Sequence, residues 1–229
     1  MTNVTLPAYS DARKLSFFLA MEEFVARQQL ADDAFFLWQV EPSVIYGRNQ
    51  VLENEVNLQY CQTHGIQLYR RKSGGGCVYA DHDNLMLSFV TREQQVGFAF
   101  NRFINMLLLV LRKMGVEAVG TRHNDIMIGD RKICGTACRT TPHGCIVHST
   151  MLYDTNMQHM LQAITPSQQK LAKNGVESVR QRITLLKDYT SLTLDEVKVL
   201  ILRTLCDDER MLTAEEISEI EQIEKQYFL

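Results

Sequence analysis

Tyr69-Arg70-Arg71-Lys72-Ser73-Gly74-Gly75-Gly76-Cys77-Val78-Tyr79 places three basic residues, a serine and three consecutive glycines between two apolar runs. Consecutive glycines bury no side chain and carry the largest ordering entropy, so they have no packing value. They are useful where something must approach the backbone closely. Peptide N–H groups with no Cβ in the way form a concave anion site, and Arg70, Arg71 and Lys72 add positive charge beside it. The stretch reads as a loop that holds a phosphate or a carboxylate. A glycine-rich hairpin with solvated basic residues is the plainer alternative. The stretch lacks the Gly-Lys-Ser/Thr ending of the phosphate-binding loop and the spaced glycines of the dinucleotide fingerprint, so any nucleotide here belongs to another fold.

Outward from the loop, Ile66 to Tyr69 reads as the strand entering it and Cys77 to Ala80 as the strand leaving it. Upstream, Ser10 or Asp11 is placed to cap a helix running to about Arg27, with Phe17, Ala20, Met21 and Phe24 on one face and Glu22, Glu23 and Arg27 facing water. Ala34 to Val40 and Ser43 to Tyr46 read as strands joined by a turn at Glu41-Pro42. Glu55 to His64 reads as a short helix stopped by Gly65. Downstream, Asn84 to Val90 alternates as a strand. Phe98 to Met114 is the clearest helix, ended by Gly115. Val116 to Val119, Asp125 to Ile128, Arg131 to Arg139 and Cys145 to Tyr153 read as strands, with turns at Gly129-Asp130 and Pro142-His143-Gly144. Helices follow near Asn156 to Ala163, Pro166 to Lys173, Thr193 to Cys206 and Thr213 to Tyr227. Thr213 and Glu216 have capping-box spacing. Strands fill the first two thirds and helices the last, which predicts an α+β sheet domain rather than regular βαβ winding.

A net charge of −3 leaves no global electrostatic footprint for nucleic acid, so a basic loop on this chain suits a small anion. The N-terminus lacks the basic and apolar regions of a secretory signal, and the six cysteines are scattered, which predicts a cytoplasmic protein with reduced thiols. The longest apolar candidate, Met106 to Leu111, is far too short to span a membrane.

Asn124-Asp125 through Asp130-Arg131-Lys132-Ile133-Cys134-Gly135-Thr136-Ala137 forms a second constellation. Regular alternation puts Lys132, Cys134 and Thr136 on one face and Ile133, Gly135 and Ala137 on the other. A lysine looking into a cleft supplies a point charge for negative charge that develops in a reaction. An exposed lysine just past a hairpin turn is the plainer alternative. Asp125 suits a magnesium ion or a neighbouring base. Cys134, Cys138, Cys145 and His148 match no familiar zinc spacing. Trp38, Tyr69 and Tyr79 read as core or pocket walls.

These residues resemble the lipoate–protein ligase family within the biotin/lipoate ligase superfamily. The likeness rests on Arg70 to Tyr79 with Asp81 and Asn84, on Asn124-Asp125 to Ala137, and on His148-Ser149-Thr150-Met151-Leu152. Weaker support comes from Gly47-Arg48-Asn49-Gln50 and from Gly175 to Arg180 with Arg182. The resemblance implies a mixed, largely antiparallel sheet with flanking helices, of the biotin/lipoate ligase and class II synthetase type. It implies activation of lipoate by ATP and Mg2+ to lipoyl-adenylate, then transfer to a lysine of a lipoyl domain. Implied acceptors are the acyltransferase subunits of 2-oxoacid dehydrogenases and the glycine cleavage H protein, with neither nucleic acid nor membrane as partner. By the same resemblance Lys132 is catalytic. Arg71, Gly76, Cys77, Val78, Tyr79, Asn124, Asp125 and Lys132 hold ATP or the adenylate, and Asp125 also the magnesium. Arg71, Ser73, Gly74, Gly75, Lys132, Gly135, Ala137 and His148 hold lipoate.

A single catalytic domain is expected over residues 1–229, with its core at about 10–190 and a helical part at about 191–229. The chain ends before the C-terminal accessory domain of the long ligases, which makes a separate accessory-domain protein a candidate partner. Cys134 and Cys138 depart from the family pattern. The rivals are an octanoyl- or lipoyl-transferase of the same fold, which needs a cysteine nucleophile, a transferase working from preformed lipoyl-adenylate, and a non-enzymatic binding protein.

Overall fold

The computed structural model describes residues 1–7, 13–121, 125–165 and 182–227. In chain order the described elements are β1 (Thr2–Thr5), α1 (Leu15–Gln28), β2 (Ala34–Trp38), β3 (Ser43–Tyr46), α2 (Leu52–Glu55), α3 (Leu58–Thr63), β4 (Gln67–Arg70), β5 (Val78–Ala80), β6 (Asn84–Thr91), α4 (Val96–Lys113), β7 (Val119–Gly120), β8 (Asp125–Ile128), β9 (Arg131–Thr141), β10 (Gly144–Leu152), α5 (Met157–Ala163), α6 (Leu194–Leu205), β11 (Asp208–Met211) and α7 (Ala214–Glu224).

An eight-stranded sheet has the order β11-β1-β2-β6-β10-β9-β8-β7. Its β11–β1 and β1–β2 pairs are parallel and the others antiparallel, so the expected mixed, largely antiparallel α+β architecture is the one observed. Every residue of the central strands β6 and β10 is buried, because both faces of the sheet are covered. Phe36, Trp38, Met86, Val90 and Ile146 pack toward α1. Phe35, Leu85, Leu87, Phe89 and Val147 pack toward Phe103, Leu107, Val110 and Leu111 of α4 and Val197 and Ile201 of α6.

Helix α1 is buried from Leu15 to Ala26 because α7 closes over its outer side with Ile217, Ile220 and Ile223. Burying each of those isoleucines stabilises by about 2 kcal/mol before ordering entropy is counted. Glu22 and Glu23, expected in water, are therefore 3% and 7% exposed. The α1 sequence alone does not disclose a second layer supplied some 200 residues later. Thr193 and Thr213 begin α6 and α7 with complete capping boxes.

The second sheet has the order β4-β3-β5, with β3 parallel to β4 and antiparallel to β5. The glycine stretch joins β4 to β5, which do not pair with each other. It is a crossing over the end of β3, not a hairpin. The far side of this sheet packs Val44 and Tyr79 on Cys61 of α3 and on Met160 and Ala163 of α5.

The turn expected at Glu41-Pro42 carries the chain from β2 in the large sheet to β3 in the small one. Several expectations are corrected. The helix expected over Glu55 to His64 is two pieces, interrupted at Val56, which bridges to Ile164. The edge strand β11 and its neighbour β1 were not anticipated, and the strand expected at Val116 to Val119 shrinks to Val119–Gly120. The C-terminal part is not simply helical, because β11 extends the main sheet. Helix α1 begins at Leu15 after Lys14. The caps proposed at Ser10 and Asp11, the helix over Pro166 to Lys173, and Asn124 lie outside the described residues.

Candidate functional site

The glycine crossing is built from its own basic residues. Arg71 is buried, and its guanidinium donates from Nη1 to the Ile45 carbonyl at 3.1 Å, from Nε and Nη2 to Gly74 O at 3.2 and 2.9 Å, and from Nη2 to Gly76 O at 2.6 Å. Burial pulls Arg71 down to about 10, so it remains charged at neutral pH. Most of its donors are spent on folding the loop around it. Gly47, which follows β3, lies under the crossing: a Cβ there would meet Gly75 O at 2.3 Å. The Arg48 N–H donates to Ser73 O at 3.0 Å. Gly75 has φ +95°, a conformation that a side chain would strain.

Strand β9 supplies the opposing wall. Between Lys132, paired with Met127, and Cys134, paired with Ile126, Ile133 is an extra residue. This β-bulge shifts the alternation by one. Ile133 and Cys134 both join the core toward α4, whereas Lys132 shares a face with Gly135. The expected grouping of Lys132 with Cys134 and Thr136 is thereby corrected. The expected cleft-facing lysine is present. Its Nζ pairs with Asp125 Oδ1 at 2.7 Å, and Arg182 Nη2 pairs with Asp125 Oδ2 at 3.0 Å. The backbone of this segment is fixed too, by a Thr184 N–H to Lys132 O hydrogen bond of 3.0 Å.

Beneath the loop runs a buried polar chain. His148 Nδ1 lies 3.1 and 3.0 Å from the two Glu22 oxygens, and its Nε2 is 2.7 Å from Ser73 Oγ. Ser88 Oγ donates to Glu22 Oε1 at 2.7 Å and accepts from Trp38 Nε1 at 2.9 Å. A buried carboxylate is tolerated only with such partners. Nδ1 faces the Glu22 carboxylate and so carries a proton, while Nε2 and Ser73 Oγ share the other hydrogen bond.

The loop and the lysine meet in one cleft of about 640 Å3. Of the residues singled out in the sequence, Arg71, Gly75, Gly76, Cys77, Val78, Asp125, Lys132, Gly135, Ala137 and His148 line it. Ser73, Gly74 and Tyr79 do not. Ser73 is buried against His148, Gly74 takes the Arg71 hydrogen bonds, and the Tyr79 side chain is wholly in the core beneath the small sheet. Among the described lining residues, Arg71, Lys132 and Arg182 face a single carboxylate, Asp125, so the cleft suits an anion. Leu19, Trp38, Ile45 and Met86 add apolar lining. Glu22 and Ser88 were not anticipated as part of the site's support. Two consecutive acids between Met21 and Phe24 on an apolar helix were the available signal.

Burial pushes the Cys134 thiol up to about 11 and the Cys138 thiol up to about 12, and it raises Cys145 as well. These are not activated nucleophiles. Among the described residues no three His, Cys, Asp or Glu side chains gather as a metal set. No described helix is long and apolar enough to cross a membrane.

The lipoyl protein ligase A/B catalytic domain family matches residues 15–206. A lipoate–protein ligase of Staphylococcus aureus is 34% identical over 213 residues, which are 90% of this chain and 65% of that relative. This chain thus spans just under two thirds of that relative's length. Among solved structures, a bi-partite lipoate protein ligase from Thermoplasma acidophilum, described with its E2 lipoyl domain, is 25% identical with a TM-score of 0.83, covering 98% of this chain and 92% of that one. A lipoate-protein ligase A bound with ATP is 25% identical with a TM-score of 0.80, covering 99% of this chain and 93% of that one. With the family match running across both walls of the cleft, the chain belongs to the lipoyl protein ligase A/B catalytic domain family.

Proposed function

We propose that this chain is a lipoate–protein ligase catalytic domain that activates lipoate with ATP and passes the lipoyl group to a lysine of a lipoyl domain. One observation carries the reading: Lys132 and the Arg71-to-Val78 crossing open onto the same cleft, whose lining combines cationic and apolar side chains. The space that side chains at Gly75 and Gly135 would need is taken by the Arg71 guanidinium and the Lys132 ammonium, so both cations lie close against the backbone of the cleft wall.

In the first half-reaction a carboxylate oxygen attacks the α-phosphorus and pyrophosphate leaves with the electron pair of the broken P–O bond. Two anions must meet, and Lys132 screens them and stabilises the charge on the pentavalent phosphorus without forming a bond. Arg182 adds a second cation. In the second half-reaction a lysine amine attacks the mixed anhydride carbonyl, AMP leaves, and the amine loses a proton. Arg71 keeps the loop's N–H groups aimed inward by holding its carbonyls. Asn124 remains a candidate contact to the adenylate. The apolar residues Leu19, Trp38 and Met86 suit the dithiolane and acyl chain. Both Asp125 oxygens are engaged by Lys132 and Arg182; Asp125 would be the residue to hold a magnesium ion, which would supply charge neutralisation for the nucleotide phosphates. Lipoyl domains of 2-oxoacid dehydrogenases and the glycine cleavage H protein are the expected acceptors.

Incubation with ATP, Mg2+ and lipoate tests the reading through lipoate-dependent pyrophosphate release, and an added lipoyl domain tests transfer. Lys132→Ala is expected to abolish the release while leaving the fold intact. Release that survives Lys132→Ala overturns the mechanism.

A further inference from the structure

We propose that Glu23 and Tyr227 are positioning residues that hold the glycine crossing in place through Lys72, which makes the last described turn of the chain a working part of the site. The proposal rests on the function read above.

Lys72 immediately precedes Ser73. Its Nζ donates to Glu23 Oε1 at 2.6 Å and to Gln226 Oε1 at 3.3 Å, and it lies 4.5 Å from the centre of the Tyr227 ring. Tyr227 in turn donates its hydroxyl to Glu23 and to Leu19 O. The residue at the foot of the loop is therefore gripped by α1 and by the turn after α7 together.

Neutralising Glu23 does not require this arrangement. Arg139 Nη2 stands 3.2 Å from Glu23 and Arg27 Nη2 3.5 Å from it. A lysine ordered as a third cation gives up side-chain freedom. What it adds is a fixed point for the crossing. The next residue, Ser73, is held from inside by His148 and Glu22. Adjacent acids of α1 thus secure adjacent residues of the loop, one directly and one through an imidazole. A loop whose N–H groups must hold an anionic substrate needs such support, since a misplaced donor weakens binding.

Three variants test the proposal. Tyr227→Phe removes the hydroxyl bond to Glu23 and keeps the ring beside Lys72. Lys72→Met removes the cation on a half-buried side chain, and Lys72→Arg restores it. Without any ligand, the alkylation rate of Cys77 by iodoacetamide, resolved by peptide mass spectrometry and normalised to Cys138, reports loop position. Tyr227→Phe and Lys72→Met are expected to speed Cys77 alkylation by about fivefold and to raise the lipoate KM by about five- to tenfold, with kcat within about twofold. Lys72→Arg is expected to stay within about twofold of wild type on each measure. Wild-type Cys77 reactivity and wild-type KM in the folded Tyr227→Phe and Lys72→Met proteins overturn the proposal. A wild-type protein that releases no pyrophosphate, with Cys77 still responding to both variants, removes the lipoate reading and leaves the positioning role standing.

Discussion

The ammonium of Lys132 occupies the volume that a side chain on Gly135 would need. A Cβ at Gly135 would lie 2.7 Å from Lys132 Nζ and 2.8 Å from its Cε. The bulge at Ile133 brings these two residues onto one face, and the missing side chain lets the lysine lie along the strand toward Asp125. Gly135→Ala is expected to displace the ammonium and to lower lipoate-dependent pyrophosphate release by about tenfold or more. The displaced group is the far end of a flexible side chain, so the melting temperature should barely change. Pyrophosphate release and a thermal melt on the same preparation check both halves of that expectation.

The two acids Glu22 and Glu221 make a sharp contrast in cost. Glu22 accepts from His148 and Ser88 inside the fold, whereas Glu221 pairs with Arg13 at 2.6 Å near the surface and is 42% exposed. Glu22→Ala strands a buried imidazole and hydroxyl and should cost about 3 kcal/mol. Glu221→Ala should cost about 0.5 kcal/mol, as exposed pairs do. Urea denaturation of the two variants beside wild type measures the difference. Equal costs would mean that the buried chain beneath the loop contributes nothing.

The same pair of neighbours, Glu22 and Glu23, marks where reading the sequence stopped short. Helical periodicity located α1 and its apolar face. The acids looked solvated because α7 and the sheet that enclose them are remote in the chain. The glycine stretch and the lysine on the return strand were legible, because glycine runs and charged residues beside turns are local signals with few structural uses; their meeting in one cleft followed from the family resemblance and not from either stretch alone. The alternation around Lys132 was misread, since a single inserted residue reverses every face that follows it and leaves no mark in composition. The edge strand β11 and its neighbour β1 were missed because they are short, and β1 is held only between β11 and β2. The crossing of the glycine loop over β3 depends on strand order, which pairwise patterns do not carry.

Acid should weaken the support of the loop. Burial alone would raise the Glu23 carboxyl, but hydrogen bonds from Lys72 and Tyr227 and the charge of Arg139 outweigh it and hold the group below its ordinary value of 4.5. A carboxyl lowered by folding contributes stability that is fully present above the unfolded value and is lost as pH falls through the folded one. The melting temperature of the wild type is expected to fall faster than that of Glu23→Gln between neutral pH and the acid side of the carboxylate range. At neutral pH the order reverses, with wild type the more stable. Parallel pH profiles for the two proteins would show that Glu23 is not held in the way described.

The cysteines decide between acyl-adenylate chemistry and a covalent thioester. A thioester route needs a thiolate facing the cleft; Cys77 lines the cleft, whereas Cys134, Cys138 and Cys145 do not. Cys134 is fully buried and pushed up to about 11, and Cys138, pushed up to about 12 by burial, has Cys145 as its closest ionisable neighbour. No cation draws these thiols toward the reactive form strongly enough to offset their burial. Cys138→Ala and Cys145→Ala should therefore keep lipoate-dependent pyrophosphate release and lipoyl transfer within about twofold of wild type. Mass spectrometry of the wild type incubated with ATP, Mg2+ and lipoate should find AMP-linked lipoate bound without a covalent bond. An acyl adduct on Cys138 or Cys145, or a loss of transfer in either variant with its fold preserved, would replace the adenylate route with a thioester one.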